Sequence, residues 1–473
     1  MTRPRVMTRR GMDRPALAIL ASLLWLAGCA SPAPGAKAAD ASLLQQAGVP
    51  AQLPAAAGAP AETPTLDWRQ GVQSPRLAQW VGLALTNNRD LRVAMLNVQR
   101  AQAQLGLADA NRGPAIGAGV TASRAPNTRR EQANSLSAGL QLNSWEIDLF
   151  GRLAGLSEAA RAQWLASDAG RRAAELSLVA AVLQAGLALQ ADDELLGLAR
   201  QALASRAQTL QLTTLRESVG AASLLELQAQ QTLAAQARAS IAQLTRQQVQ
   251  DGNALALLLG QPVPVAAGAN STGARLADEA WLAEVPAGLS STVLLARPDV
   301  IAAEQAMLAA QANIAAARAA FWPAITLTAQ AGQASPQLAG LFAGGNFVYT
   351  LAASALATVF DGGRRQAGVD VAVVNQQIAL AQYERSLQAA FRETADALAG
   401  LATWREQLAA QTAQRDAARD IARLTELKAS QGAASALERL DAQRALWAAE
   451  QAVVQVRLGE LANRVALFKA LGR

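Results

Sequence analysis

The amino-acid sequence predicts a mainly α-helical protein with a small β part, in which long helical hairpins form a tube and four strands per chain contribute to a membrane β-barrel. Three observations predict this fold class. The chain contains one ordered set of residues twice, it has long stretches without proline, and it has four short windows in which apolar and polar residues alternate. The first sets the organisation of the chain, the second the helices and the third the strands.

Two copies of one unit are expected, over residues of about 77–260 and 289–473. Asp90 and Pro114 in the first copy recur as Asp299 and Pro323, with the same spacing between them. The matches continue in order, with Gly220-Ala221-Ala222-Ser223-Leu224-Leu225-Glu226 repeated as Gly432-Ala433-Ala434-Ser435-Ala436-Leu437-Glu438. Because ordered Pro, Gly, Ser and Glu matches are rare by chance even in an alanine-rich chain, the pattern indicates an internal duplication.

The longest helices are expected where proline is absent. No proline occurs between Pro126 and Pro262 or after Pro336, and a proline inside a helix removes a hydrogen bond and clashes with the preceding turn. Residues that favour helices fill these stretches, chiefly Ala, Leu, Gln, Arg and Glu. The composition predicts helices over residues of about 152–218 and 364–430, each roughly 100 Å long at about 1.5 Å per residue.

An apolar stripe along the second long helix predicts a packed core. Its members recur at helical spacing and are Leu380, Tyr383, Leu387, Phe391, Leu398 and Leu401. Elsewhere the apolar residues of the helices are mostly alanine, which buries little surface per residue. A single hairpin would therefore be weakly held, and we expect it to need partners.

Four windows with period-two alternation predict strands near residues 114–124, 135–145, 324–334 and 347–358. Aromatic residues lie in or beside these windows, as at the interfaces of membrane barrels: Trp145, Phe150, Phe321, Trp322, Phe342, Phe347, Tyr349 and Phe360. Two soluble hairpins with one buried face would show the same alternation. Four strands cannot close a barrel in lipid, where open edges leave backbone groups unpaired. Three chains would supply twelve strands and would arrange the long helices as a tube below them.

The N-terminus has the features of an export signal. Five arginines precede a short apolar run that ends in Leu26-Ala27-Gly28-Cys29, and small residues before a cysteine resemble the lipobox of bacterial lipoproteins. We therefore expect a signal peptide over residues 1–28, a lipidated tether over residues 29–67 that begins with Cys29, and one folded domain over residues 68–473. A plain signal peptide or an uncleaved anchor is the alternative.

The composition argues against several classes of function. The chain has no histidine, the commonest general base and metal ligand, and it has no nucleophile-elbow or phosphate-loop pattern. Cys29 is the only cysteine, so no disulfide or thiolate metal cluster is expected. Without residues 1–28 the chain has 37 basic and 35 acidic residues, which does not indicate nucleic-acid binding. We expect no enzymatic activity, no metal and no cofactor besides the covalent lipid on Cys29.

Five series of residues occur in a fixed order within the folded domain. They are Trp145-Glu146-Ile147-Asp148-Leu149-Phe150-Gly151-Arg152, then Arg297-Pro298-Asp299-Val300 with Glu304, Phe321-Trp322-Pro323, Phe360-Asp361-Gly362-Gly363-Arg364, and Leu440-Asp441-Ala442-Gln443-Arg444. Together they resemble the outer-membrane factor family of TolC-like channels, and in particular its lipoprotein branch associated with efflux pumps of the resistance (RND) type. The resemblance covers residues 68–473.

The resemblance implies a passive homotrimeric channel in the bacterial outer membrane, extending into the periplasm. It would export drugs or other small molecules together with a periplasmic adaptor (membrane fusion protein) and an inner-membrane pump of the RND type. Two alternatives are the exit duct of a type I protein-secretion system and, from another class of protein, a lipid-anchored periplasmic coiled-coil scaffold or adaptor.

The resemblance also implies functional residues at the tips of the helical hairpins. It assigns adaptor docking to Gly220, Ser223, Leu225, Gly432, Ser435 and Leu437, which could equally be ordinary turn residues. It assigns an acidic periplasmic gate to Glu438 and Asp441, which lie on one helical face. The alternative is a solvated pair bonded to Arg439 or Arg444.

Four further residues are expected to shape turns rather than bind ligands. Gly151, Gly362 and Gly363 would allow the chain to turn from strand to helix, because glycine accepts backbone conformations that other residues resist. Pro298 suits the first turn of a helix, where its missing N–H is not needed, and Asp299 complements the positive end of that helix.

Overall fold

The computed structural model describes residues 47–50, 53, 68–126, 132–264, 275–276, 281 and 291–472. These residues form two compact units. The sheet unit comprises the described residues of Ala108–Glu158 and Gln311–Val373, and the helical unit comprises those of Ala39–Leu107, Ala159–Ala310 and Val374–Arg473. The expected signal peptide, Cys29 and most of the expected tether lie outside the described residues.

The helices occur in two matching sets. The described helices are α1 (Trp68–Gly71), α2 (Pro75–Asn87), α3 (Arg89–Ala110), α4 (Arg152–Ser218), α5 (Leu224–Leu259), α6 (Pro298–Ala319), α7 (Arg364–Ser430) and α8 (Ala436–Leu471), with short 3₁₀ turns at Ser291–Ala296 and Leu338–Gly340. Helices α4 and α7 both have 67 residues, α5 and α8 both have 36, and α3 and α6 both have 22. The two copies in the sequence therefore fold into the same series of helices.

A four-stranded antiparallel sheet lies between the helices in the sequence. Its strands are β1 (Ile116–Pro126), β2 (Gln132–Glu146), β3 (Ala324–Ser335) and β4 (Phe347–Leu356), hydrogen-bonded in the order β1-β2-β3-β4. The β1–β2 hairpin is longer than the alternation predicts, because pairing continues to Pro126 and Gln132. Strands β1 and β4 are the edges of this sheet.

A β-bulge in β2 changes the direction of its last side chains. The pairing with β3 shifts between Leu142 and Trp145, and Ser144 has a φ of 48°, which is uncommon for a residue other than glycine. Because the bulge inserts an extra residue into β2, Trp145 lies on the same face as Leu142. Its indole Nε1 donates a hydrogen bond to the carbonyl of Arg112 at 3.0 Å.

Two hydrophobic clusters form the core of the helical unit. The first joins α2, α4, α5 and α8 around Trp80, Leu183, Leu187 and Leu259. The second joins α7 to the C-terminal end of α8 and contains Tyr383, Leu387 and Leu398 from the predicted apolar stripe, with Phe391 and Leu401 packed against them. Both clusters are therefore made from residues far apart in the chain.

Part of the expected tether is packed on the helical unit. Ala47, Val49 and Leu53 are buried in the second cluster, and the hydroxyl of Ser291 donates to the carbonyl of Pro50 at 2.7 Å. A Pro-rich and Ala-rich composition predicts an extended linker, but these apolar side chains gain more by leaving water. The described residues of the tether are consequently part of the fold.

Candidate functional site

The tip of the first long hairpin is a tight turn between α4 and α5. Gly220 has a left-handed backbone with φ 75°, and the next amide, that of Ala221, donates to the carbonyl of Arg216 at 2.7 Å. The hydroxyl of Ser223 then accepts a hydrogen bond from the amide of Glu226 at 3.1 Å, which caps the start of α5. The tip is thus closed by its own backbone.

The tip of the second long hairpin repeats this turn and adds a second cap. Gly432 has φ 72°, and the amide of Ala433 donates to the carbonyl of Lys428 at 2.8 Å. The hydroxyl of Ser435 accepts from the amide of Glu438 at 3.1 Å, and the carboxylate of Glu438 accepts from the amide of Ser435 at 2.7 Å. This reciprocal capping box satisfies both amides at the start of α8.

Both tips present apolar side chains to solvent in the single chain. Leu225 is 81% exposed and Leu437 is 64% exposed. Further exposed apolar residues lie on the neighbouring helical turns, namely Leu212, Leu215, Val219, Leu224, Ile421, Leu424 and Leu427. The residues predicted for docking therefore divide into two kinds: Gly220, Ser223, Gly432 and Ser435 build the turns, whereas Leu225 and Leu437 offer surface that a partner could cover.

The two carboxylates predicted to form a gate are exposed but differ in their partners. Hydrogen bonds from the amide and hydroxyl of Ser435 lower the pKa of Glu438, with a smaller effect from the charge of Lys428. Asp441 pairs with Arg444 at 3.5 Å, whereas Arg439 pairs with Glu426 at 3.8 Å. Glu438 is thus a capping residue of α8, and Asp441 belongs to an exposed ion pair.

The sheet has one polar and one apolar face. Pairing places Gly119, Gly139 and Gly332 side by side across three strands on the polar face. Gln141 of β2 and Thr326, Thr328 and Gln330 of β3 lie on the same face. The opposite face includes Ile116, Val120, Leu140, Phe347, Tyr349 and Leu351, all large apolar residues that are exposed in the single chain. An apolar face of this kind is stable only when lipid or protein covers it.

Charged residues hold the corner where β2 leads into α4. Arg152 pairs with Glu146 at 2.5 Å. The hydrogen bond that Arg152 donates to this carboxylate raises the pKa of Arg152, and burial opposes the rise. A carboxylate oxygen of Asp148 accepts from the amide of Ala154 at 2.7 Å, in the first turn of α4. Gly151, with φ 76°, is the residue at which the chain turns.

The corner between β4 and α7 is built in the same way, from an arginine–carboxylate pair and glycines. Arg365 donates to Asp361 at 2.7 Å, and this bond, with those from the amides of Arg365 and Gly363, lowers the pKa of Asp361. Gly362 and Gly363 have φ values of 65° and 85°, where a side chain would be strained. The guanidinium of Arg365 also lies 5.2 Å from the ring centre of Phe321. Three of the predicted turn residues, Gly151, Gly362 and Gly363, thus occupy the left-handed region.

The start of α6 is held by a buried arginine. Pro298 is the first residue of this helix. The preceding residue, Arg297, has a side chain only 5% exposed and donates to Asp299 at 2.7 Å, to Glu393 at 2.8 Å and to the carbonyl of Ala470 at 3.3 Å. Capping alone therefore does not describe Asp299, because it is also the counter-ion of a buried charge that joins α6 to α7 and α8.

A second buried arginine was not predicted from the sequence. Arg206 on α4 is 6% exposed, donates to the carbonyl of Leu233 on α5 at 3.0 Å, and lies 5.0 Å from the ring centre of Trp447 on α8. Burial lowers the pKa of Arg206, and the charge of Arg444 adds to this effect. In the sequence, the local signal of the contact between Arg206 and α8 is Trp447, a tryptophan within an alanine-rich helix.

A buried carboxyl group on α4, that of Asp192, was also not predicted from the sequence. Asp192 is 6% exposed, and burial, with a smaller effect from Asp251 of α5, raises its pKa to about 7. The run Asp192-Asp193-Glu194 within an apolar stretch was the available signal. Among the residues that the structure describes, no group of three or more carboxylates, histidines or cysteines is arranged to bind a metal ion.

These features define a class of protein. An open-edged sheet with an uncovered apolar face, in the same chain as hairpins of long helices, is a subunit of a membrane channel. The sequence matches the family described as outer membrane efflux protein twice, over residues 80–261 and 289–473. The chain belongs to the outer membrane efflux protein family. The two matched segments also correspond to the two copies.

Relatives in this family include proteins from two Pseudomonas species. The toluene efflux pump outer membrane protein TtgC of Pseudomonas putida is 40% identical over 412 residues, covering 86% of this chain and 84% of TtgC. The outer membrane protein OprJ of Pseudomonas aeruginosa is 37% identical over 470 residues, covering 98% of this chain and 96% of OprJ. The predicted function in efflux and the predicted location in the outer membrane are confirmed.

Solved structures agree with the fold. The open state of the Neisseria gonorrhoeae MtrE outer membrane channel superposes with a TM-score of 0.81 at 35% identity, covering 88% of this chain and 94% of MtrE. CusC superposes with a TM-score of 0.80 at 34% identity, covering 90% of this chain and 96% of CusC. The predicted fold class, with long helices and a small four-stranded contribution to a barrel, is confirmed.

Proposed function

We propose that three copies of this chain form a passive conduit that exports small apolar molecules across the outer membrane. Three four-stranded sheets would close into one twelve-stranded barrel, and the long helical hairpins would form the periplasmic tube. A periplasmic adaptor and an inner-membrane pump of the RND type would deliver the substrate and supply the energy. The conduit would perform no chemistry and would need no cofactor.

The open sheet is the observation that supports the trimer. In lipid, the free backbone groups of edge strands β1 and β4 would each lose hydrogen bonds to water without replacement. Every residue of β4 is exposed in the single chain. Closure with other copies would satisfy the backbone groups of both edges. The diameter of a barrel grows with the number of strands, and an interior of about eight strands is just filled by side chains. Twelve strands would therefore leave an open lumen.

Names of relatives favour small-molecule efflux over protein secretion. TtgC of Pseudomonas putida is described as a toluene efflux protein, and ArpC from the same species as an antibiotic efflux protein. We infer the same class of cargo, namely organic solvents and antibiotics, for this channel. The duct of a protein-secretion system is the second candidate, and a periplasmic scaffold is disfavoured because it would have no use for the apolar face of the sheet.

The lipid anchor and the sites at the tips are part of the same proposal. A lipid on Cys29 would hold the N-terminus in the outer membrane, and the exposed Leu225 and Leu437 would be covered by the adaptor. Threefold symmetry would gather three copies each of Glu438 and Asp441. Such a ring of carboxylates would favour cations and restrict the periplasmic entrance.

Conductance of the purified protein tests the channel and the gate together. In detergent we expect a trimer that conducts ions in a planar bilayer, and a higher conductance when Glu438 and Asp441 are both changed to Ala. A variant with Asp416 and Asp420 changed to Ala, which removes two exposed carboxylates from α7, is the control and should conduct as the parent does. A trimer with unchanged conductance in both variants would remove the gate, and a monomer that never conducts would remove the channel.

Efflux in cells tests the docking residues. We expect Leu225→Arg and Leu437→Arg to abolish tolerance to toluene while the purified trimer still conducts. Leu257, which is 79% exposed on α5 but lies at the other end of this helix, provides the control, and Leu257→Arg should leave tolerance intact. Equal loss of tolerance in all three variants would show a general effect of the introduced charge and would argue against docking at the tips.

A further inference from the structure

Asp192 of α4 and Asp251 of α5 are neighbouring carboxyl groups within the helical unit. Asp192 on α4 is 6% exposed, although it is an aspartate. The carboxyl of Asp251 on α5 acts on it as a neighbouring group, and its Oδ2 is buried without a hydrogen-bond partner. Two ionised carboxylates cannot donate a hydrogen bond to each other, because both are acceptors only. A hydrogen bond between the two carboxyl groups therefore requires a proton.

The charges that act on Asp192 disfavour its ionised form. The charges that act on Asp192 are those of Asp251 and Asp193, both negative. The other polar groups nearby on α4 and α5 are already engaged, since Gln247 donates to Asp251 at 3.0 Å and Gln248 donates to Asp193. Three charged groups on elements of the same core have partners of their own: Arg76 donates to Gln190, Glu194 accepts from the amide of Leu276, and Glu460 pairs with Arg457 and Arg464.

We propose that Asp192 and Asp251 share one proton and so form a pH-sensitive carboxyl clasp between α4 and α5. With the proton present, one carboxyl donates to the other and the two helices are joined. When the proton leaves, two negative charges face each other in a buried position and repel. The clasp concerns a single protomer, because Asp192 is already buried within one chain, and it does not depend on the proposed transport function.

The proton leaves within the physiological range of pH. Burial, and to a smaller extent the hydrogen bond and charge of Asp251 and the charge of Asp193, raise the pKa of Asp192 to about 7. In the unfolded chain an aspartate has a pKa of about 3.9. The folded state therefore holds the extra proton between these two values, and the free energy of unfolding falls as the pH rises from about 4 to about 7.

The pH dependence of unfolding tests the clasp in the full-length protein. Tryptophan fluorescence would follow unfolding by guanidinium chloride at about pH 5 and about pH 8, which lie on either side of the pKa of about 7 for Asp192. We expect the midpoint of the parent protein to be lower at the higher pH. In Asp192→Asn this fall should disappear, because the amide keeps a hydrogen-bond donor at both values of pH. The control is Asp193→Asn, whose side chain is exposed, and it should keep the fall.

A spectroscopic readout distinguishes proton sharing from a general effect on packing. At about pH 5 the infrared spectrum of the parent should contain a C=O band of a buried protonated carboxylic acid, and the band should be absent from Asp192→Asn. A fall in midpoint that persists in Asp192→Asn, or a band that remains, would overturn the proposal. So would stabilisation by Mg²⁺ at about pH 8 that the parent shows and Asp192→Asn lacks, since a cation would then occupy the site instead of a proton.

Discussion

The buried guanidinium of Arg297 gives the sharpest prediction about stability. Changing Arg297 to Met keeps the apolar stem of the side chain and removes the charge and its donors. Asp299 would lose two hydrogen bonds, and Glu393 and the carbonyl of Ala470 would lose one each. The substitution therefore isolates the contribution of the guanidinium to the junction of α6, α7 and α8.

The magnitude follows from burial. Removing one partner of a buried ion pair costs about 3–5 kcal/mol, because the other partner stays behind without compensation. The side chain of Arg297 is 5% exposed, but those of Asp299 and Glu393 are 45% and 39% exposed, so water can reach the carboxylates that remain. We therefore expect a loss near the lower end of that range, about 3 kcal/mol.

The assay is unfolding of the detergent-solubilised protein by guanidinium chloride, followed by tryptophan fluorescence. The matched control is Arg172→Met, which removes an ion pair with Asp168 at 2.6 Å from a side chain that is 59% exposed. Exposed pairs contribute about 0.2–1 kcal/mol, so the midpoint should fall much less. Equal losses in the two variants would refute the reasoning, because burial would then not decide the contribution of an arginine in this fold.

Three further predictions concern a cap, a glycine and a titrating group. Ser435→Ala should lower the stability of the second tip by about 1 kcal/mol. Ser223→Ala should lower the stability of the first tip by less, because the first tip lacks the reciprocal hydrogen bond. Equal losses of hydrogen-exchange protection at the two tips would show that the capping box contributes nothing extra. Gly332→Ala should reduce the yield of folded barrel, at a cost of about 1–3 kcal/mol, because a Cβ there would overlap the carbonyl of Ala138 on the adjacent strand. The control is Gly344→Ala, which should fold as the parent does because Gly344 has open space around it. Burial raises the pKa of Asp299, but the hydrogen bond and charge of Arg297 outweigh burial and hold this pKa below its usual value. The free energy of unfolding should therefore fall as the pH falls below about 4. Asp299→Asn should lose less stability over this range than the parent protein.

The sequence determined the secondary structure and the class of the fold. The absence of proline and the abundance of helix-forming residues predict the long helices, which the structure gives as Arg152–Ser218 and Arg364–Ser430. Alternation predicts the strands, and two copies in the sequence correspond to two copies in the fold. Each of these signals is local or periodic, and it can be recognised without knowing which distant residues meet.

Only the tertiary structure shows which residues far apart in the sequence contact one another. Whether Glu438 caps α8 or faces a pore depends on the geometry of a turn. The bulge at Ser144 moves Trp145 to the apolar face, although the alternation of β2 before it is regular. Part of the expected tether is buried because the second cluster of the core has room for its apolar side chains.

The buried charges were the features that the sequence could not locate. Arg297, Arg206 and Asp192 are three among many arginines and aspartates of the chain, and the residues beside them in the sequence do not name the partners that they meet. What distinguishes these three is the partner that another helix brings to them: Asp299 and Glu393, the ring of Trp447, and Asp251. The sequence by itself determined the helices, the strands and their duplication, because these follow from local backbone preference and periodicity. Only the tertiary structure decided which charges are buried and with what partner, because desolvation and pairing arise when distant segments pack together.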